Sequence, residues 1–180
     1  MIYNNFQDKK LSALGMGCMR LPHNPSNHSE INIDDLSKMV DYAINNGINY
    51  FDTAWGYHNG NSEIAIGQVL KKYPRESYYL ADKFPGYDLK NITKVEEIFE
   101  KQLEKCQVEY FDFYLFHNVC ELNIEQYLNP ENKIFEYLIE QKRNGRIRHL
   151  GFSTHASLET MKRFLDAYGK DMEFCQIQLN

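Results

Sequence analysis

Helical and strand-like periodicities alternate along this chain about every 30 residues, and that rhythm constrains its fold more than any other feature. A short apolar stretch, Leu11 to Met19, precedes a helical pattern over Asp34 to Asn46, in which Leu36, Met39, Val40, Ala43 and Ile44 share a face before Asn46-Gly47 stops it. Ile48 to Phe51 reads as a strand, and Ser62 is placed to cap a helix that carries Ile64, Ile66, Val69 and Leu70 and ends before Pro74. Tyr78 to Ala81 reads as the next strand, and Asn91 to Cys106 as the longest helix, with Val95, Ile98, Phe99, Leu103 and Cys106 on one side. Phe111 to Phe116 is apolar apart from Asp112, the pattern of a strand buried on both faces. Helix over Ile134 to Lys142, strand over Arg146 to Phe152, helix over Leu158 to Ala167 and strand over Phe174 to Leu179 complete the series. His23 to Ser29, rich in Pro, Asn and Ser, reads as an exposed loop.

Repeated strand–helix pairs imply an α/β fold with a parallel sheet. Two architectures share the rhythm, the doubly wound open sheet and the (β/α)8 barrel. Gly15-Met16-Gly17 is followed neither by a third glycine nor by a helix, so the dinucleotide fingerprint of the open sheet is missing. Polar residues instead close successive strands: Asp52, Lys83, His117 and Ser153. Barrel enzymes place their chemistry at those carboxyl ends, because the strand tips converge on one face, and the TIM-barrel type is favoured.

Composition narrows the function classes. Twenty basic against twenty-five acidic residues give −5 with no basic block, which speaks against nucleic acid as a partner. No apolar run approaches the roughly 20 residues of a membrane span, and the polar Met1 to Lys10 segment lacks a signal-peptide core, so a cytoplasmic protein is expected. Cys18, Cys106, Cys120 and Cys175 form no C-x-x-C pair, so no metal site is expected from them and they read as buried free thiols.

Each polar strand end has a plainer reading. Asp52 suits a turn cap, with Tyr57 packed on Trp55; Lys83 suits a snorkelling surface lysine; His117 suits a hydrogen-bonded core histidine. Lys83 at a strand end also suits a Schiff-base amine in a lyase or isomerase. Four such residues on successive strands point instead to one shared site.

Several segments resemble the aldo-keto reductase superfamily: Leu14 to Pro22, Phe51-Asp52-Thr53-Ala54-Trp55-Gly56-Tyr57 with Gly60 to Glu63, Ala81-Asp82-Lys83, Asp112 to His117, and Gly145 to Ser153. The resemblance implies a catalytic tetrad of Asp52, Tyr57, Lys83 and His117. It further implies NADP-dependent reduction of small aldehydes or ketones, with Tyr57 as acid, and contacts from Ser153 and Gln176 to the nicotinamide. Many relatives follow that serine with Asn, whereas this chain reads Ser153-Thr154-His155. A catalytically inactive or regulatory member of the same scaffold is the alternative.

Strands near Met16, Ile48, Tyr78, Phe111, Ile147 and Phe174 make six, while the barrel has eight and about 250 residues. The expectation is a single incomplete barrel domain over residues 1–180, lacking the last two βα units and the phosphate-binding segment they carry for NADP(H). Open edges at its first and sixth strands then predict self-association.

Overall fold

The computed structural model describes residues 1–178. In chain order the elements are β1 (Tyr3–Phe6), β2 (Lys9–Ser12), β3 (Met16–Gly17), β4 (His23–Asn24), β5 (Asn27–Ile31), α1 (Ile33–Asn45), β6 (Tyr50–Asp52), α2 (Asn61–Leu70), β7 (Tyr79–Phe84), α3 (Val95–Cys106), β8 (Phe111–Val119), α4 (Ile124–Leu128), α5 (Ile134–Arg143), β9 (Ile147–Thr154), α6 (Leu158–Tyr168) and β10 (Phe174–Ile177). The fold is α/β, with parallel strands separated by helices as the (β/α)8 reading expects. Leu179, the expected end of the last strand, lies outside the described residues.

The chain resolves into two compact units, Met1–Ala81 with Glu104–Val108, and Asp82–Leu103 with Glu109–Asn180. In the first, β3 runs parallel to β6 with Met16 beside Phe51, and β6 parallel to β7 with Asp52 beside Ala81. Leu36, Val40, Phe51, Ile66, Val69 and Leu80 fill its core. Helix α1 starts where the Asn32 side chain accepts the Asp35 N–H, with Asp34 and Asp35 in the first turn, and stops ahead of Gly47 at φ +87°. In the second unit β8 runs parallel to β9, with Phe111 beside Ile147, and β9 to β10, with Phe174 beside Gly151. Its core is aromatic: Phe99 packs on Phe111 and Tyr114, and Phe116 on Tyr127 and Phe164.

Several expectations are corrected. Strand β8 runs on to Val119 and β9 to Thr154, so His117 and Ser153 lie inside strands rather than just past them. The expected loop over His23 to Ser29 is the hairpin β4–β5. Ser62 does not cap α2: the cap is Gly60, two residues earlier and at φ +89°, and the Ser62 hydroxyl is spent on the Cys18 carbonyl. Of the four cysteines only Cys18 and Cys106 are buried; Cys120 is half-buried and Cys175 exposed.

Candidate active site

In the first unit, Asp52 is the half-buried last residue of β6, and its carbonyl accepts the Cys18 N–H at 2.8 Å. The Ser62 hydroxyl donates to Cys18 O at 2.8 Å and therefore accepts from Thr53 Oγ1 at 3.0 Å. These bonds tie the end of β6 to the start of α2 and fix the loop that carries Tyr57, which is itself half-buried. Tyr57 opens a 3-10 turn, Tyr57–Gly60, in which His58 and Asn59 take φ of 51° and 55°. That left-handed backbone is uncommon outside glycine, though Asn and His tolerate it better than most residues, and here side-chain bonds hold it. His58, 1% exposed, donates from Nδ1 to His28 O and accepts the Leu21 N–H at Nε2. Asn59 and Asn61 both donate to Ser29.

Below the turn, Glu63 is fully buried and paired with Lys105 at 2.8 Å, and the Lys105 ammonium sits 3.9 Å from the centre of the Trp55 ring. The Gly60 to Glu63 segment thus anchors the Tyr57 loop as much as it starts a helix. Sequence reading missed Lys105 and His58. Their partners lie 42 and 30 to 37 residues away, beyond any local pattern.

In the second unit, Lys83 is 2% exposed on β7, and its carbonyl accepts from Gln102, which in turn accepts the Tyr114 hydroxyl. The depth excludes a snorkelling surface lysine. His117 on β8 meets the edge of Tyr87 at 5.0 Å between centroids. Burial, then the positive charge of Lys83, then that of His155 push the His117 pKa down to about 3, so its imidazole is neutral at ordinary pH. The buried Tyr127 hydroxyl donates to His117 O at 2.9 Å. It also fixes the loop after β7, because a Cβ on Gly86 would lie 2.3 Å from that hydroxyl oxygen.

Ser153 and Gln176 are register partners on β9 and β10. The Ser153 hydroxyl accepts the N–H of Asn118, which is at φ 54°, and so keeps its own proton to donate. Gln176 is exposed. A carboxamide presents one acceptor and one donor, and the neighbouring hydroxyl and amide of these two residues match that donor set. Chemically, the second unit offers a neutral imidazole beside a buried ammonium, a pair suited to an oxygen that gains negative charge.

The aldo/keto reductase family model matches residues 13–180. A probable aldo-keto reductase from Glycine max is 30% identical over 166 residues, covering 87% of this chain and 45% of that protein. An NADH-specific methylglyoxal reductase from Escherichia coli K12 is 27% identical, covering 91% of this chain and 54% of that protein. Among solved structures, an aldo-keto reductase from Klebsiella pneumoniae in complex with NADPH superposes with a TM-score of 0.74 at 20% identity, over 99% of this chain and 59% of that one. The chain spans about half the length of the curated relatives it matches.

Proposed function

The chain belongs to the aldo/keto reductase family, and on that footing we propose that it serves NADP-dependent interconversion of small aldehydes or ketones and their alcohols, with residues 1–180 forming part of one cytoplasmic barrel domain. The observation that carries the proposal is that burial, and then the charge of the deeply buried Lys83, hold the His117 imidazole neutral.

When bound, the reduced nicotinamide supplies the hydride. The protein's residues do the rest. Ser153 and Gln176, register partners on β9 and β10, would hold the nicotinamide carboxamide. His117, neutral because it is buried beside a cation, donates a hydrogen bond to the substrate oxygen and fixes the angle of the carbonyl. Tyr57 gives its phenolic proton to that oxygen as negative charge builds there. A phenol of pKa about 10 is a weak acid near neutrality unless its anion is stabilised, which is the task of the Lys83 ammonium. Asp52 keeps that ammonium charged and oriented.

Tyr57→Phe removes the acid without removing the ring. Carbonyl-dependent NADPH oxidation should drop by about 10²–10⁴-fold, the usual value of a positioned acid, while nicotinamide fluorescence titration shows cofactor binding unchanged. Turnover that survives in the variant overturns the assignment of the acid. Cofactor binding without turnover in the parent chain supports the regulatory alternative instead. The relative named as NADH-specific makes NADH the comparison cofactor, and tighter binding of NADH would replace NADP in the proposal.

A further inference from the structure

Three of the six histidines, His23, His28 and His58, gather at the β4–β5 hairpin, with one nitrogen of each within 4.8 Å of the others. Their hydrogen bonds decide which lone pairs remain. His58 has none to spare, since Nδ1 donates to His28 O at 2.6 Å and Nε2 accepts the Leu21 N–H at 2.9 Å. His23 Nδ1 faces Leu21 O at 2.9 Å and must carry the proton, which leaves a lone pair on its Nε2. That Nε2 lies 3.4 Å from His28 Nδ1.

A separation of 3.4 Å is long for a hydrogen bond between ring nitrogens. It is the spacing of two ligands on one tetrahedral ion: zinc–nitrogen bonds of about 2.0–2.1 Å at a tetrahedral angle put the nitrogens about 3.3–3.4 Å apart. A square-planar corner would bring them to about 2.9 Å. The His28 ring is braced by stacking on His58, 4.1 Å between centroids, and His23 meets His28 edge-on at 4.7 Å.

We propose that His23 Nε2 and His28 Nδ1 form a two-histidine site for a divalent metal ion of the zinc class, its remaining positions taken by solvent at this exposed hairpin. The Leu21 carbonyl fixes the His23 tautomer and ring plane, as outer-shell acceptors commonly do for metal-bound imidazole. His58 positions the site without ligating, by holding the His28 carbonyl. Binding places the His28 proton on Nε2 and needs no net proton release from neutral rings. Because His58 and the Ser29 partners Asn59 and Asn61 belong to the segment after Tyr57, a bound ion stiffens that hairpin against the Tyr57 turn.

The test is a titration of the whole chain with zinc sulfate in a non-chelating buffer, followed by calorimetry and by imidazole ¹⁵N shifts. One ion should bind, moving the resonances of His23 Nε2 and His28 Nδ1 and leaving both His58 nitrogens in place. His23→Gln and His28→Gln should each weaken binding at least tenfold, and His155→Gln should leave it unchanged. The hairpin positions tolerate glutamine by exposure, and circular dichroism confirms that the variants remain folded. Equal affinity in the His23→Gln/His28→Gln double variant, as zinc held by thiols would give, overturns the proposal, as does a shift confined to His58.

Discussion

Acid should unfold this protein through His117 before its carboxylates account for the loss. In the folded chain the imidazole pKa is pushed down to about 3 by burial and by Lys83; in the unfolded chain it returns to about 6.5. Above pH 6.5 neither state holds the proton. Between 6.5 and 3 the unfolded state binds it and the folded state does not, so stability declines as the pH is lowered, by up to about 1.4 kcal/mol per unit. From pH 7.5 to pH 5 this one group removes about 2 kcal/mol, against a total of roughly 5–15 kcal/mol for an ordinary domain. Urea unfolding at the two pH values measures the change, and His117→Gln supplies the reference, because other titrating groups act equally in both proteins. The parent should lose about 2 kcal/mol more than the variant across that interval. Parallel pH dependences would mean that His117 titrates normally when folded, and the neutral hydrogen-bond donor would be lost with it.

Lys105→Met takes the Lys105 ammonium away from the fully buried Glu63 carboxylate and should cost about 3 kcal/mol in urea unfolding, much of it recovered on adding Glu63→Gln. Gly86→Ala drives a methyl into the Tyr127 hydroxyl and should cost about 2 kcal/mol, which at this chain length lowers the melting temperature by about 4–8 °C in calorimetry. A neutral result at Gly86 would show that the loop after β7 yields without strain.

Much of the architecture was legible in the residue pattern. Helix α1 falls within a residue of its expected limits because its apolar spacing, Asp-rich first turn and Asn46-Gly47 stop are local signals. The hairpin β4–β5 was not legible, since a largely exposed strand has no buried face and hence no two-residue apolar alternation. Five-residue α4 is too short to show a helical period, and Ser62 misled because the left-handed turn ahead of it advances the helix start. Among the site residues, Asp52, Lys83, His117 and Ser153 could be picked out as polar ends of apolar runs, while Tyr57 and Gln176 came from the family resemblance.

The amino-acid order by itself determined the α/β class, the order of elements and the chemical types available for a site, because periodicity and capping act over a few residues. Packing alone decided what state those groups are in. It buried Lys83, made His117 a neutral ring, gave Glu63 its cation from 42 residues away and set two histidine nitrogens 3.4 Å apart. Desolvation and charge pairing depend on what surrounds a group in space, and for these residues the surroundings come from segments far apart in the chain.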